Sequence, residues 1–482
     1  MSGARKAPAL IAAALVLVGG GRFAQGDEPT APTVSLPVSS PAVPAPAEET
    51  GAAWFARPRL ALTVGEGPAA YKLRFFGFLE ADYYFDSTRS YDDSMGTALV
   101  ARTDTYPNQV GRTQFSLRST RLGLGFDAPV AGSVAPSAVI EGDFAGDPPD
   151  STEKVYFASP VFRVRHAYIK LANPYVDVLM GQTFDVFGWQ SYFDPSGLRN
   201  QLFSRNTQLR LSHEFNATGR VTVELAASAV RPVQRDSGVP DGSAGLRVSF
   251  NDWQGIRTPG NERIVAMPLT LGVSGIVRQF RANAYTPPPI QNSNSVMGWG
   301  VSLDGFLPII PASNFTDRGN RLALMVSYVK GSGIGDLISM TGGAQFPTLS
   351  NPALAYPPPL YEANVDNGLV TFDTKGLLHT IDWTAFRIGF QYYLPYTGRW
   401  IVSANYTQAH SGNIAMLYPR EGAEVDLRTH IADTARYADA KLTFDVTPVV
   451  RVGVAGQYTK ILYLDGDGPH NVRVSASTLY LF

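Results

Sequence analysis

The chain has 482 residues, no cysteine and only 17% charged residues, with 22 tyrosines, 26 phenylalanines and 46 glycines. Soluble domains carry ~25% charged residues, so a low-charge chain whose mean hydropathy is near zero spreads its apolar residues instead of gathering them into continuous spans. The absence of cysteine excludes a disulfide framework, a thiol nucleophile and a thiolate metal site, and a formal charge of -1 gives no electrostatic footprint for nucleic acid.

Residues 1–26 read as a secretory signal. Arg5 and Lys6 form a positive start, Ala9 to Val18 an apolar stretch too short for the ~20 residues of a membrane-crossing helix, and Ala24 and Gly26 a small-residue cleavage site. Residues 27–70 form a Pro-rich leader or linker, with Pro29, Pro32, Pro37, Pro41, Pro44 and Pro46 keeping the chain extended. The folded part is expected to begin near Tyr71 and to run to Phe482.

From Tyr71 onward a two-residue alternation returns again and again. Val221, Val223, Leu225, Ala227 and Ala229 share one face of an extended strand, and Tyr437, Asp439, Lys441, Thr443 and Asp445 oppose Ala438, Ala440, Leu442, Phe444 and Val446. Sixteen segments follow in chain order: about 71–87, 113–128, 134–144, 162–172, 176–187, 208–216, 220–231, 242–250, 268–281, 297–307, 321–331, 380–394, 399–411, 437–446, 450–463 and 471–482. Most reach the ~9–11 residues that let a tilted strand cross a bilayer. Long connections (88–112, 145–161, 188–207, 332–379, 412–436) alternate with short turns such as APVAG, ANP, ATG, PYTG and TPV, as in outer-membrane barrels. Residues 251–267 and 308–320 are longer than their turn parity requires, which keeps fourteen and eighteen strands as alternatives.

The expected fold is therefore all-β: a transmembrane antiparallel β-barrel of about sixteen strands. Hydrocarbon offers the backbone no hydrogen-bond partner, so strands cross it only as a closed sheet. Phe482 is expected to close the last strand against the first, at the inner aromatic girdle.

Five blocks carry a family likeness: RLGLGFDAP (Arg121 to Pro129), EGDF (Glu141 to Phe144), RHAYIKL (Arg165 to Leu171), GQTFDVF (Gly181 to Phe187) and RNTQLR (Arg205 to Arg210). In this order and spacing the chain resembles DcaP-like porins. The resemblance implies a sixteen-stranded homotrimeric channel of the Gram-negative outer membrane, in contact with its lipid, that passes small hydrophilic, often anionic, solutes. It also implies that the terminal aromatic, Phe482, is read by the barrel-assembly machinery. The Pro-rich start departs from the coiled-coil lead of some members, and the connection 332–379 has no counterpart.

In sixteen-stranded porins the third outer loop narrows the bore, and charged side chains there select the ions that enter. That loop is Gly188 to Gln208, with Arg199 and Arg205, and Arg210 opens the next strand. Arg163 and Arg165 share a face of a neighbouring strand. These five arginines are the candidate constriction, with Glu141 and Asp143, together with Glu224, expected on the opposite wall; the competing reading pairs Arg163 and Arg165 with Glu141, Asp143 and Asp185 as ordinary salt bridges.

No cofactor or metal site is expected. His166, His213, His379, His410, His430 and His470 never pair at ligand spacing. LDGDGPHN (Leu464 to Asn471) fits a hairpin turn better than a calcium loop, and neither GSGIGD nor GVSGI has the setting of a phosphate cradle or a nucleophile elbow. Two rivals to the porin are an outer-membrane β-barrel enzyme, which needs a serine, histidine and acid together on the barrel wall, and a secreted carbohydrate-binding β protein.

Overall fold

The computed structural model describes residues 60–91, 100–146, 161–188, 202, 204–216, 219–232, 237–257, 265–283, 293–312, 318–338, 369–372, 377–417 and 431–482. All of these lie within one compact unit, Glu49–Phe482. The expected export signal, the leader up to residue 59, Arg199 and most of the 332–379 connection lie outside them.

The strands in chain order are β1 (Leu60–Val64), β2 (Tyr71–Asp86), β3 (Arg112–Ser116), β4 (Arg121–Asp127), β5 (Ala135–Gly146), β6 (Val161–Ala172) and β7 (Asp177–Phe184). There follow β8 (Arg205–Asn216), β9 (Val221–Val230), β10 (Asp241–Arg257), β11 (Val265–Asn283), β12 (Ser293–Ile310) and β13 (Arg321–Ser332). A small hairpin, β14 (Val370–Phe372) and β15 (Leu378–Thr380), precedes β16 (Asp382–Tyr393), β17 (Trp400–Ser411), β18 (Ala432–Asp445), β19 (Val450–Tyr463) and β20 (His470–Leu481).

Apart from β14 and β15, these strands form one 18-stranded antiparallel sheet. Strands β3 and β4 pair in succession with β2 and make a single stave, and β1 pairs only with the start of β2, so the wall has 18 − 2 = 16 staves. Each stave overlies one of the sixteen alternating segments. Among the described residues of 251–267 and 308–320, those up to Arg257, those from Val265 and those up to Ile310 extend the strands past irregularities at Phe250/Gln254 and Pro308/Ile310. The sheet also starts earlier than Tyr71, because Leu60–Val64 already pairs with Tyr71–Phe75.

Closure joins β20 to β2, with Phe78 opposite Leu481 and Asp86 opposite Arg473. The amide of Phe482 donates to the Gly77 carbonyl at 3.2 Å. Gly77 has φ 148°, and a Cβ there would meet the Arg121 carbonyl oxygen at 2.2 Å, so this closing point needs glycine.

Burial along the staves is inverted relative to a soluble protein. On β2, Leu79, Ala81 and Phe85 are exposed while Glu80, Asp82 and Asp86 are buried. On β12, Leu303 is 50% exposed and its neighbour Ser302 0%. Arg278, Arg387, Arg451 and Arg473 are among the most deeply buried large side chains. Apolar outside and ionic inside is stable when hydrocarbon surrounds the wall. Exposed aromatics gather at both ends of it: Phe126, Phe215, Trp253, Trp400 and Tyr480 at the turn end, and Phe115, Phe162, Phe184 and Trp299 at the loop end, the girdle positions where aromatic rings bridge lipid and water. Arginine at the midplane of such a wall costs about 2–4 kcal/mol, so Leu303→Arg is expected to lose that much in denaturant unfolding from lipid vesicles; a loss below about 1 kcal/mol would put Leu303 in water.

Candidate pore lining and its inward-folded loops

The sequence blocks that carry the family likeness meet on staves β4 to β8. In β6, Glu141 faces His166 while Gly142 faces Val164, so Arg165 is the extra residue of a β-bulge. The bulge frees two carbonyls, of Val164 and Arg165, which accept from the Gln182 amide at 3.0 and 3.3 Å. Arg163 and Arg165, two residues apart on one face, reach the same acid. Arg163 makes a fork with Asp143 at 3.0 and 2.8 Å, and Arg165 bonds Glu141 at 3.0 Å and Asp143 at 2.8 Å. Arg121 approaches Glu141 at 3.3 Å.

Glu141 and Asp143 are therefore not on the opposite wall as expected; they stand on the stave beside the arginines and pair with them. Glu224 likewise pairs with Arg247 of the adjacent β10. The reason is register: β5 and β6 are hydrogen-bonded neighbours, and cross-strand partners share a face. Of the candidates, Arg163 keeps 46% of its side chain exposed and Arg165 only 7%. Arg205 lies over the Phe184 ring at 5.7 Å and is an electrostatic neighbour of Arg165, Arg163, Asp143 and Arg121. Arg210 donates to Gln208 at 3.1 Å and to the Phe184 carbonyl, apart from the cluster. Within this cluster Arg121, Arg163, Arg165 and Arg205 outnumber Glu141 and Asp143 by 4 − 2 = +2.

The described ends of the third loop turn inward. Asp185 accepts from Ser243 of β10 at 3.1 Å, and the Gly188 amide donates to Ser274 of β11 at 2.8 Å. Phe187 is buried in an apolar cluster with Ile276, Ile334 and Trp383. Leu202, also third-loop, forms a β-bridge with Ile338 of the long connection after β13. That connection is latched in turn by Arg278, which donates to Asp336 at 2.6 and 2.8 Å and to Asp241 at 2.9 Å. The same apolar cluster holds Tyr91 and Val100 of the first loop and Leu464 of the last, so the loops share one packed core. Across the closing seam Arg102 bonds Asp465 and Thr103 bonds Asp467; the Arg102 hydrogen bond holds the Asp465 carboxyl below the usual carboxylate range. The LDGDGPHN stretch is thus the β19–β20 turn, with an arginine on its acids.

Sequence reasoning missed the charges deeper along the wall: Glu80, Asp82, Asp439, Lys441 and Arg387, all buried. The Asn405 carbonyl oxygen accepts from Arg387 at 3.0 Å, and its amide donates to Asp439 at 3.2 Å. The available signal was their place on the polar face of each alternating segment.

No protein-family model matches the chain, and no curated protein matches it. Among solved structures the fold is similar to the outer membrane channel DcaP of Acinetobacter baumannii, with a TM-score of 0.60 at 16% identity over 87% of this chain and 100% of that one. It is also similar to an anion-selective porin from Comamonas acidovorans, with a TM-score of 0.47 at 10% identity over 86% of this chain and 100% of that one. At 16% identity the DcaP likeness establishes the fold, a closed antiparallel sixteen-stranded barrel.

The inward third loop rests on Gly300 of β12, where a Cβ would meet the Phe187 ring at 2.7 Å and Ile276 at 3.2 Å. Gly300→Val is therefore expected to push Phe187 off the wall and raise single-channel conductance in planar bilayers; unchanged conductance would mean that the loop's seat does not set the bore.

Proposed function

We propose that the chain is an outer-membrane porin through which small hydrophilic, preferentially anionic, solutes diffuse passively. The observation that carries this reading is the inverted burial: a closed wall that is apolar outside and lined inside by charged and hydroxyl side chains. Such a cylinder isolates a polar path from hydrocarbon, and weak side-chain contacts along it let a solute enter and leave. The preference for anions is supported by the +2 excess around Arg121, Arg163, Arg165 and Arg205. Fixed charge of this kind acts over the ~10 Å Debye length of 0.1 M salt.

In this reading residues 1–26 direct export, Phe482 is presented to the barrel-assembly machinery, and the resemblance to DcaP-like porins adds a homotrimer in outer-membrane lipid. Two wall histidines make cross-strand contacts: His166 bonds Thr183 at 3.0 Å and His410 bonds Thr434 at 2.9 Å.

Reversal potentials across a planar bilayer in a salt gradient test the reading. The expected sign is that of an anion-preferring pore. Arg163→Ala and Arg205→Ala each take that cluster from +2 to +1 and are expected to reduce the shift by roughly half. A cation-preferring potential unmoved by either variant would overturn the arginine assignment, and absence of any conductance would overturn the porin.

A further inference from the structure

At the closing seam the tilt of the staves creates an edge problem. Phe482 pairs with Gly77, so on that side of β2 the residues before Gly77 run on beyond the end of β20. Bare backbone donors and acceptors at a membrane boundary are costly. The chain solves this with β1, which folds back through the short 3-10 turn Gly67–Ala69 and pairs Leu60 to Val64 with Phe75 to Tyr71.

The hairpin so formed is two-faced. Leu60, Leu62 and Val64 register with Phe75, Leu73 and Tyr71, and these six apolar side chains share one face; Ala61 and Thr63 register with Arg74 and Lys72 on the other. The apolar face continues the outward parity of β2, in line with Leu79, Ala81 and Phe85 of the lipid-facing wall. Leu60, Leu62, Val64, Tyr71 and Phe75 are about half exposed, so the described residues leave this face open. The opposite face is anchored by Arg74, which bonds Asp127 of β4 at 2.9 Å.

We propose that the β1–β2 hairpin is a lipid-interface paddle, its Leu60, Leu62, Val64, Tyr71, Leu73 and Phe75 face seated in the leaflet at the turn end of the barrel. The occupant is lipid because the face is continuous with the wall's own lipid-facing surface, has the same alternation, and carries Tyr71 and Phe75 at the depth of the turn-end aromatic girdle. This rests on the membrane-barrel reading of the wall.

The chain has no cysteine, so single-cysteine variants report without interference. Spin labels at Leu62→Cys, Thr63→Cys and Leu303→Cys, in phosphatidylethanolamine and phosphatidylglycerol vesicles, are compared for collision with oxygen, which partitions into lipid, and with a water-soluble nickel chelate. Leu62→Cys is expected to favour oxygen as Leu303→Cys does, and Thr63→Cys to favour nickel. If Leu303→Cys favours oxygen while Leu62→Cys favours nickel, the paddle is overturned and the barrel reading stands. If Leu303→Cys itself favours nickel, the membrane reading falls and the paddle with it. Spin–spin broadening at Leu62→Cys would place a second copy there instead of lipid, which also overturns the proposal.

Discussion

The structure depends on one constraint: a backbone that runs through hydrocarbon must satisfy all its N–H and C=O groups from within the sheet. Closure of β20 on β2 follows from it, as does glycine at position 77, where the terminal residue and the start of the wall exchange hydrogen bonds. β1 follows too, because the stave beyond the end of β20 would otherwise carry an unpaired edge. Once the wall is closed, the two faces of every strand meet different solvents, and the inverted burial of Leu303 against Ser302 is the result.

Inside that wall, charge is arranged mostly in neighbouring pairs: Arg165 with Glu141 and Asp143, Arg278 with Asp241 and Asp336, Arg473 with Asp86. Pairing between adjacent staves keeps buried guanidinium groups hydrogen-bonded, which a lone buried charge is not. Arg121, Arg163, Arg165 and Arg205 outnumber the acids Glu141 and Asp143 beside the inward third loop, whose Phe187 and Gly188 are fixed to β11 and β12. A rigid wall, a loop seated on it and a local surplus of positive charge together form the selective element of the proposed pore.

Much of this was legible in the sequence, and the reason is period two. Each of the sixteen alternating segments coincides with a stave, because one face had to be apolar along its whole length. The start at Leu60 was less legible: LALTV is only 5 residues and follows a proline-rich stretch, so its alternation carries little weight alone. The arginine cluster was half legible. Residue type pointed to Arg163, Arg165 and Arg205, yet alternation does not reveal that the acids are cross-strand neighbours and not a facing wall. The partnership of Asp336 with Arg278, 58 positions apart in the chain, depends on how a long connection folds back, which no local pattern encodes.

A sealed cylinder with an oily outer surface is recognised by the behaviour of the purified chain with and without detergent, read by gel migration before and after boiling. The protein is expected to stay dispersed only in detergent or lipid, and the unheated sample to run as a compact species which boiling shifts to the mobility of the unfolded chain. A protein that stays in the aqueous fraction without detergent and migrates identically before and after boiling would contradict it.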